Sequence, residues 1–456
     1  FMSEAATNLV PLREQTDALH DLIDFVIREA ERQGADGAEA DIAVGDGLTA
    51  TARMGEVETL EHQRDKGMSI AVYVGEPGNQ HKGTASSSDL NKSALIETIG
   101  AALSIARQTS ADACSGLAEA ALMATEVPDL DLYYPWALDP QTAIERALAC
   151  EQAARDVDSR IENSDGASIS SVAGANYYGN SHGFRGGWQF SQHNLDCAMI
   201  ARDEHGMQRD GWYTVARDAA DLESAESVGR RAGERTVQRL NAQRLSTRTA
   251  PVLFEADVAR SLFGHLVSAI SGGSLYRRSS FLLDKLGERI FPEFLRIHEQ
   301  PHLAKAMGSA PFDDEGVTTR PRDLITDGVL QGYVLGSYSA RKLGLQTTGN
   351  AGGVHNLSVE PGRLDFDGLL KTMDTGLLVT DLMGFGVNLI TGDYSRGVAG
   401  FWVEGGHIAF PVEEITIAGN LADMFQHIAE VGCDVDGRRN IRTGSVLIEH
   451  MTIAGE

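Results

Sequence analysis

The chain has 456 residues, of which 42% are hydrophobic and 23% charged, a balance that excludes a disordered or fibrous protein. Lys and Arg number 39 and Asp and Glu 65, so the net charge of −26 disfavours direct binding to nucleic acid or anionic membranes. Four cysteines are too few for a disulfide framework, and no uninterrupted apolar stretch reaches the about 20 residues that cross a bilayer. We expect a cytoplasmic protein of two or three domains.

Residues 2–126 combine helical and strand-like patterns. Apolar residues recur at helical spacing over residues 19–30 and again over residues 94–107. Between these segments, residues 38–44 and 68–74 alternate apolar with polar or small side chains, which predicts half-buried strands. The sequence therefore predicts an N-terminal α+β domain.

A proline-containing linker leads into a second unit, which we assign to residues 127–241. Asp139 followed by Pro140 predicts a helix start, because the carboxylate can cap the helix and proline suits its first turn. Residues 168–213 are rich in glycine, serine and strand-forming residues, and a charged helix is expected over residues 225–240. This pattern predicts a central α+β domain.

Residues 242–456 form the last predicted domain, which opens with an amphipathic helix over residues 259–270. Glycine-punctuated apolar segments follow at residues 329–338, 377–390 and 400–412, and each is predicted to be a strand. The domain should be a strand-rich sheet or barrel with few helices. The overall prediction is an α+β chain in three parts.

His298-Glu299-Gln300-Pro301-His302 matches the HExxH pattern of zinc proteases, which requires both histidines on one face of an unbroken helix. Pro301 is incompatible with that helix, because it lacks a backbone N–H and displaces the preceding residue from helical geometry. We interpret Pro301 as the start of a new helix and the two histidines as surface residues. An independent metallopeptidase that uses His298 and His302 stays as an alternative.

The segment 179–183, Gly-Asn-Ser-His-Gly, matches the GxSxG pattern of serine hydrolases. That pattern requires a strand that turns sharply into a helix, whereas the residues that follow are strand-like. We therefore interpret Ser181 as part of the turn of a β-hairpin.

A loop at residues 347–356 combines glycines with polar side chains. Thr348, Asn350 and His355 could contact the main chain of a substrate, because loops carry binding residues more often than core elements do. We predict these three residues as candidate substrate contacts.

Several blocks of the sequence resemble the TldD/PmbA family, in particular its PmbA branch, which is also called TldE and is named for modulation of DNA gyrase. The resemblance rests on the blocks GEVE, GTASSSDL, GNSHG, LFGHLVSAISGGSLYR, SYSARKLGL, GDYSRGVAGFWVEGG and EITIAGNL. These blocks extend over nearly the whole chain. The family implies an N-terminal, a central and a C-terminal domain.

The resemblance also implies where a zinc site would lie. TldD proteins are zinc metalloproteases with an HExxxH motif on a helix and a cysteine ligand near the C-terminus. In this chain Phe263, Gly264 and Ser268 stand at the three defining positions of that motif, and Thr443 stands at the position of the cysteine. The resemblance therefore implies a degenerate site, with no catalytic residue and no metal ligand.

The PmbA branch implies a partner role. The chain would form a heterodimer with a TldD-like subunit that carries zinc, or a homodimer when alone, and would bind no cofactor itself. The substrates implied are unfolded peptides, with roles in leader removal from peptide antibiotics and in antitoxin turnover. A further alternative is an acidic interaction protein that modulates DNA gyrase.

Overall fold

The computed structural model describes residues 12–455, and side chains are described from Asp17 onward. Its mixture of helices and strands confirms the α+β class. The first half contains α1 (Leu12–Arg32), β1 (Gly37–Arg53), β2 (Glu56–Val74), β3 (His81–Ser87), α2 (Lys92–Gln108), α3 (Pro140–Arg155), β4 (Ile161–Asn180), β5 (Arg185–Asp203), β6 (Gly206–Ala216) and α4 (Ala225–Gln238). Short 3-10 turns lie at Ala120–Leu122 and Ala219–Asp221.

The strands of this half form one six-stranded antiparallel sheet with the order β3-β2-β1-β4-β5-β6. The long strand β1 pairs with β2 on one side and, from Glu39 to Ala52, with β4 on the other. Since β1 precedes residue 126 and β4 follows it, a single sheet crosses the boundary proposed between the first two domains.

Two helix pairs cover this sheet. Helices α1 and α2 pack on one end of β1, where Ala38 and Ile42 are buried, and α3 and α4 pack on the other end, where Ala50 is buried. These three residues have even numbers, so both helix pairs lie on the same face of the sheet. Helices α3 and α4 pack closely at Gly229, where any side chain would collide with the carbonyl oxygen of Cys150.

The second half is richer in strands. It contains β7 (Arg248–Phe254), α5 (Ala256–Ala269), α6 (Gly272–Tyr276), β8 (Ile297–Glu299), β9 (Arg322–Thr326), β10 (Val329–Leu330), α7 (Ser337–Lys342), β11 (Leu357–Val359), α8 (Phe366–Met373), β12 (Gly376–Met383), β13 (Asp393–Glu404), β14 (His407–Asn420), α9 (Leu421–Gln426), β15 (Ile428–Val431), β16 (Ile441–Arg442) and β17 (Val446–Ala454). Short strands form a five-stranded sheet with the order β10-β9-β8-β11-β16.

The longer strands form a six-stranded sheet with the order β14-β13-β12-β7-β17-β15. Strand β14 also pairs with β17, for example Ile417 with Ile453, so five of these strands close into a ring. This barrel buries the apolar face of α5, including Leu262, Phe263 and Leu266, in the largest core cluster of the described residues.

Three predicted strands of the last domain differ from the structure. Only Val329–Leu330 of residues 329–338 is a strand, and α7 begins where the prediction still has a strand. The strand predicted over 377–390 ends at Met383, before Gly384 with its positive φ of 76°. Residues 400–412 form a hairpin instead of one strand, because Gly405 and Gly406 have positive φ values of 58° and 74° that turn the chain. Apolar content alone did not locate these turns.

Among residues 12–455, no helix is both long enough and apolar enough to span a bilayer.

Candidate functional site

Helix α5 carries Phe263, Gly264 and Ser268, the positions that the family resemblance assigns to a degenerate zinc motif. Phe263 is completely buried and its ring lies 6.5 Å from that of Phe291, so this position belongs to the core. Gly264 has no side chain, and the hydroxyl of Ser268 donates a 2.9 Å hydrogen bond to the carbonyl oxygen of Gly264 within the helix. None of the three side chains is a usual zinc ligand.

Thr443 lies close to this helix. A Cβ at Gly264 would lie 3.9 Å from the Cδ1 atom of Ile441, which places α5 against strand β16, directly before Thr443. Thr443 is completely buried, and its hydroxyl donates a 2.9 Å hydrogen bond to the carbonyl oxygen of Gly444. The fold thus brings the predicted positions into one region, but a phenyl ring and two hydroxyl groups do not fit zinc, which prefers thiolate, imidazole and carboxylate.

His265 is the one imidazole on α5. Its ring packs edge-on against Tyr394 at 6.0 Å, and neither its Nε2 atom nor the Tyr394 hydroxyl has a hydrogen-bond partner among the described residues. Burial, and then the charge of Arg396, lower the pKa of His265, so its ring is neutral at physiological pH. One neutral imidazole does not make a three-ligand zinc site.

A groove of about 370 Å³ lies beside α5, between the central domain and the barrel. Strand β6 and helix α4 form one wall, and α5, the end of β12 and β13 form the other. Its charged lining residues are Arg209, Asp210, Arg235, Arg239, Asp257, Arg260, Asp381 and Arg396. Five arginines and three aspartates line it, and Arg209 and Arg235 also pair with Asp165 and Glu255 just outside the lining. We call this the arginine groove.

The arginines of the groove differ in their partners. Arg235 forms two hydrogen bonds to the Glu255 carboxylate, of 2.9 and 3.1 Å. Arg396, by contrast, donates to the carbonyl oxygen of Met383 at 3.1 Å and forms no ion pair within the described part of the chain. Its guanidinium therefore keeps donors for an anionic group that enters the groove.

Trp212 lies in the same groove. The guanidinium carbon of Arg231 stands 3.5 Å from its ring centre and that of Arg438 stands 4.3 Å away, which are cation–π contacts. The sequence patterns described above do not predict this groove. A signal was present, because Arg231, Arg235 and Arg239 recur every four residues and so share one face of α4.

The predicted contact residues of the loop 347–356 are bonded within the protein. The side-chain amide of Asn350, which is 5% exposed, donates to a Glu299 carboxylate oxygen at 2.8 Å, and its Oδ1 accepts a 2.7 Å hydrogen bond from the Thr348 hydroxyl. The backbone N–H of His355 donates to the same Glu299 oxygen at 2.8 Å, and burial lowers the pKa of its ring. These bonds give the loop a structural role, and contact with substrate stays a prediction.

The HExxH segment is not helical. His298 and Glu299 belong to strand β8, which pairs with β9 and β11, and Pro301 lies in a turn, so the prediction of a new helix at Pro301 is wrong. Glu299 is 2% exposed and its second oxygen accepts a 2.6 Å bond from Arg322. The Nε2 atom of His302 lies 3.0 Å from the Thr319 hydroxyl, so this histidine has a hydrogen-bond partner other than a metal ion. The pairing of β8 with its neighbouring strands, and not the HExxH pattern, determines the structure of this segment.

The segment 179–183 is the predicted hairpin turn. Strand β4 ends at Asn180 and β5 begins at Arg185, which confirms the interpretation. The Ser181 hydroxyl accepts a 3.0 Å hydrogen bond from the backbone N–H of Ala38, so its oxygen is bonded to the neighbouring strand.

Asp313 also forms a hydrogen bond to the loop 347–356. One of its oxygens accepts backbone hydrogen bonds from Glu315 and Val317, both 2.9 Å, and the other accepts from Ala351 at 3.0 Å. Its burial, together with the charge of Glu315, raises the pKa of Asp313 to about 7. The protonated carboxyl is therefore favoured in the folded chain relative to an unfolded chain.

We expect Asp313 to make the protein less stable as the pH rises from about 4, the usual carboxyl pKa, to about 7. Over this range the folded state binds the proton more tightly than the unfolded state, so the free energy of unfolding falls by a few kcal/mol at most. Asp313→Asn should flatten this slope in guanidinium unfolding at pH 5 and pH 7.5. Asp365→Asn, on an exposed helix cap, should leave it unchanged. An identical slope in Asp313→Asn would contradict this expectation.

Family models match most of the chain. The descriptions are PmbA/TldA metallopeptidase domain 1 for residues 38–106, the central domain for residues 133–240 and the C-terminal domain for residues 247–455. Metalloprotease PmbA of Escherichia coli O157:H7 is 50% identical over 422 residues, which cover 92% of this chain and 93% of the relative. Metalloprotease PmbA homolog of Haemophilus influenzae is 46% identical over 455 residues, the full length of both chains.

Solved structures share the whole fold. A Bacteroides thetaiotaomicron protein, described as a proposed modulator of DNA gyrase, superposes with a TM-score of 0.91 at 28% identity, covering 97% of this chain and 100% of that one. TldE from Thermococcus kodakarensis gives a TM-score of 0.82 at 22% identity, covering 95% and 100%, and supports the fold alone.

Proposed function

Because the chain belongs to the PmbA/TldD metallopeptidase family, we propose that it is the TldE-type subunit of a zinc protease for unfolded peptides. A TldD-like partner would hold the zinc, and this chain would complete the substrate chamber in the cytoplasm. The four cysteines are free, which suits a reducing compartment. Leader removal from peptide antibiotics and antitoxin turnover are the processes we propose.

The main support for this proposal is the chemistry of the side chains that stand at the predicted zinc-ligand positions beside α5. Phe263 is core, Gly264 offers no donor, and the hydroxyls of Ser268 and Thr443 are bonded to backbone carbonyls. A hydrolytic zinc site needs three strong ligands and an open position for water. These residues do not fit that requirement, so we assign the chemistry to the partner.

The arginine groove supports a role in substrate binding. Strand β6 lies at the edge of the six-stranded sheet and also lines the groove, so an extended peptide could pair with its free backbone groups. The carbonyl oxygens of Asp210 and Tyr213 already accept from Thr236 and Arg438, and the N–H of Gly211 donates to the Asp210 carboxylate, which limits pairing to the other groups. Such pairing requires an unfolded segment, and the arginines would favour acidic side chains or a terminal carboxylate.

The test is hydrolysis of an unfolded acidic reporter peptide by four samples: this chain, the TldD-like subunit, their mixture, and the mixture with a zinc chelator. We expect cleavage only in the mixture without chelator, because zinc and the completed groove come from different chains. Full activity of the TldD-like subunit alone would contradict the proposal, as would cleavage by this chain alone.

A variant of the groove sharpens this test. Arg396→Ala removes the guanidinium that has no ion pair within the described residues. It should raise the KM of the mixture for the acidic peptide by about tenfold, as expected for the loss of one charge-assisted hydrogen bond. Arg289→Ala, an exposed arginine outside the groove, is the matched control and should leave KM unchanged.

Two alternative functions have tests of their own. The relatives named metalloprotease favour an independent metallopeptidase, and the structural relative described in terms of DNA gyrase favours an acidic gyrase partner. Chelator-sensitive cleavage by this chain alone would support the first. A salt-sensitive complex with gyrase that forms without a TldD-like subunit would support the second.

A further inference from the structure

A second cluster of polar side chains lies on the surface of the C-terminal barrel and shares no residue with the arginine groove. Asp423 belongs to α9, His427 directly follows that helix, and His450 belongs to β17. One potential ligand atom from each residue lies within 4.8 Å of the other two. Among the described residues this is the one group of three or more histidine, cysteine, aspartate or glutamate side chains with such spacing.

The backbone holds these residues together. Asp423 and His427 are four residues apart, so their side chains emerge one helical turn apart on the same side of α9. Helix α9 is anchored by its buried Leu421, Met424 and Phe425 side chains. The backbone N–H of Glu449 donates a 2.9 Å hydrogen bond to the carbonyl oxygen of His427, which fixes the end of α9 beside β17 and His450. The cluster therefore does not depend on mobile backbone.

The side-chain distances are close to those of a bound metal ion. His427 Nδ1 lies 3.2 Å from one Asp423 oxygen, and His450 Nε2 lies 3.9 Å from the other. The two imidazole ring centres are 4.7 Å apart. Ligand atoms around tetrahedral zinc are about 3.3 Å apart, so movements of about 1 Å would complete the site. The three side chains are 56%, 34% and 47% exposed, so rotation is not blocked by packing. His427 Nδ1 lies 2.8 Å from the backbone carbonyl oxygen of Asp423 and would exchange this hydrogen bond for the bound ion.

We propose that Asp423, His427 and His450 bind one divalent transition-metal ion of the zinc or cobalt class. Two imidazoles and one carboxylate are ligands that such ions prefer, and the fourth position would be open to water. The net charge of −26 favours cations at long range. The bound ion would connect α9 to β17. This site is independent of the proposed protease role, so zinc bound by this chain would not by itself indicate peptidase activity.

The experiment is calorimetric titration of the purified full chain, stripped with a chelator, with zinc chloride, accompanied by the visible spectrum of the cobalt complex. We expect one bound equivalent and a cobalt spectrum of tetrahedral or five-coordinate type. Asp423→Asn and His450→Ala should each weaken zinc binding at least tenfold and remove that spectrum. Circular dichroism of the metal-free variants checks that both remain folded.

His62→Ala is the matched control, because His62 is also exposed and its Nε2 lies 3.0 Å from Asp46, without a second imidazole in the group. This variant should bind zinc as the unmodified chain does. Unchanged zinc affinity in both Asp423→Asn and His450→Ala would overturn the proposal, and so would an equal loss in His62→Ala. Either result would leave the cluster as a set of surface ion pairs.

Discussion

Glu299→Ala should lower the free energy of unfolding by about 3–5 kcal/mol, the usual cost of removing one partner of a buried ion pair. Glu299 is 2% exposed and accepts hydrogen bonds from Arg322, Asn350 and the backbone of His355. Without the carboxylate, the Arg322 side chain, which is 17% exposed, would lose its counter-charge. Equilibrium unfolding in guanidinium measures the change.

Two further variants distinguish a structural role of Glu299 from a catalytic one. Glu299→Gln keeps one acceptor oxygen but turns an amide toward Arg322, so its cost should be smaller, about 1–3 kcal/mol. Glu360→Ala is the control, because this carboxylate pairs with Arg296 while about half exposed and should cost about 1 kcal/mol or less. A Glu299→Gln chain with unchanged stability and abolished peptidase activity would instead support the independent metallopeptidase.

Phe385→Ser should weaken association with a TldD-like subunit at least about 30-fold, since a central aromatic contact contributes about 2 kcal/mol or more. Phe385 is 100% exposed in the loop after β12, and Met383 and Ile390 in the same segment are 45% and 61% exposed. The loop borders the arginine groove, because Leu382 lines the groove and Met383 accepts a hydrogen bond from Arg396. We therefore assign this apolar surface to the proposed partner.

Analytical ultracentrifugation or a calorimetric titration of the two subunits measures this association. Phe294→Ser is the matched control, because Phe294 is 55% exposed and lies outside the lining of the groove. It should leave the dissociation constant within about twofold of the original value, as peripheral residues commonly do. Equal affinities for Phe385→Ser and the unmodified chain would place the interface elsewhere.

Features set by neighbouring residues were predictable from the sequence. Asp139 caps α3 as expected, since its carboxylate accepts a hydrogen bond from the Thr142 N–H. The apolar stripe of α5 and the hairpin turn at Ser181 are likewise local patterns. The prediction of a degenerate zinc motif came from the family resemblance, because no local pattern of this chain indicates it.

Features made by distant residues were not predictable in this way. The arginine groove joins Arg209 of β6 to Arg396 of β13, and the fold alone brings them together. The helix start predicted at Pro301 is wrong because the preceding segment, β8, pairs with β9 and β11, which follow later in the chain. The surface cluster of Asp423, His427 and His450 was not predicted either, because His450 lies on a different element from the other two residues.

The sheet shared by the first two domains has a consequence for synthesis on the ribosome. Strand β1 ends at Arg53 and its partner β4 begins at Ile161, so more than one hundred residues separate them. At about 5–20 residues per second, β1 waits roughly 5–20 s with one edge unpaired. An unpaired strand edge can join another chain, so the nascent protein passes through an aggregation-prone stage before β4 emerges. A protein truncated near residue 126 would retain that open edge permanently.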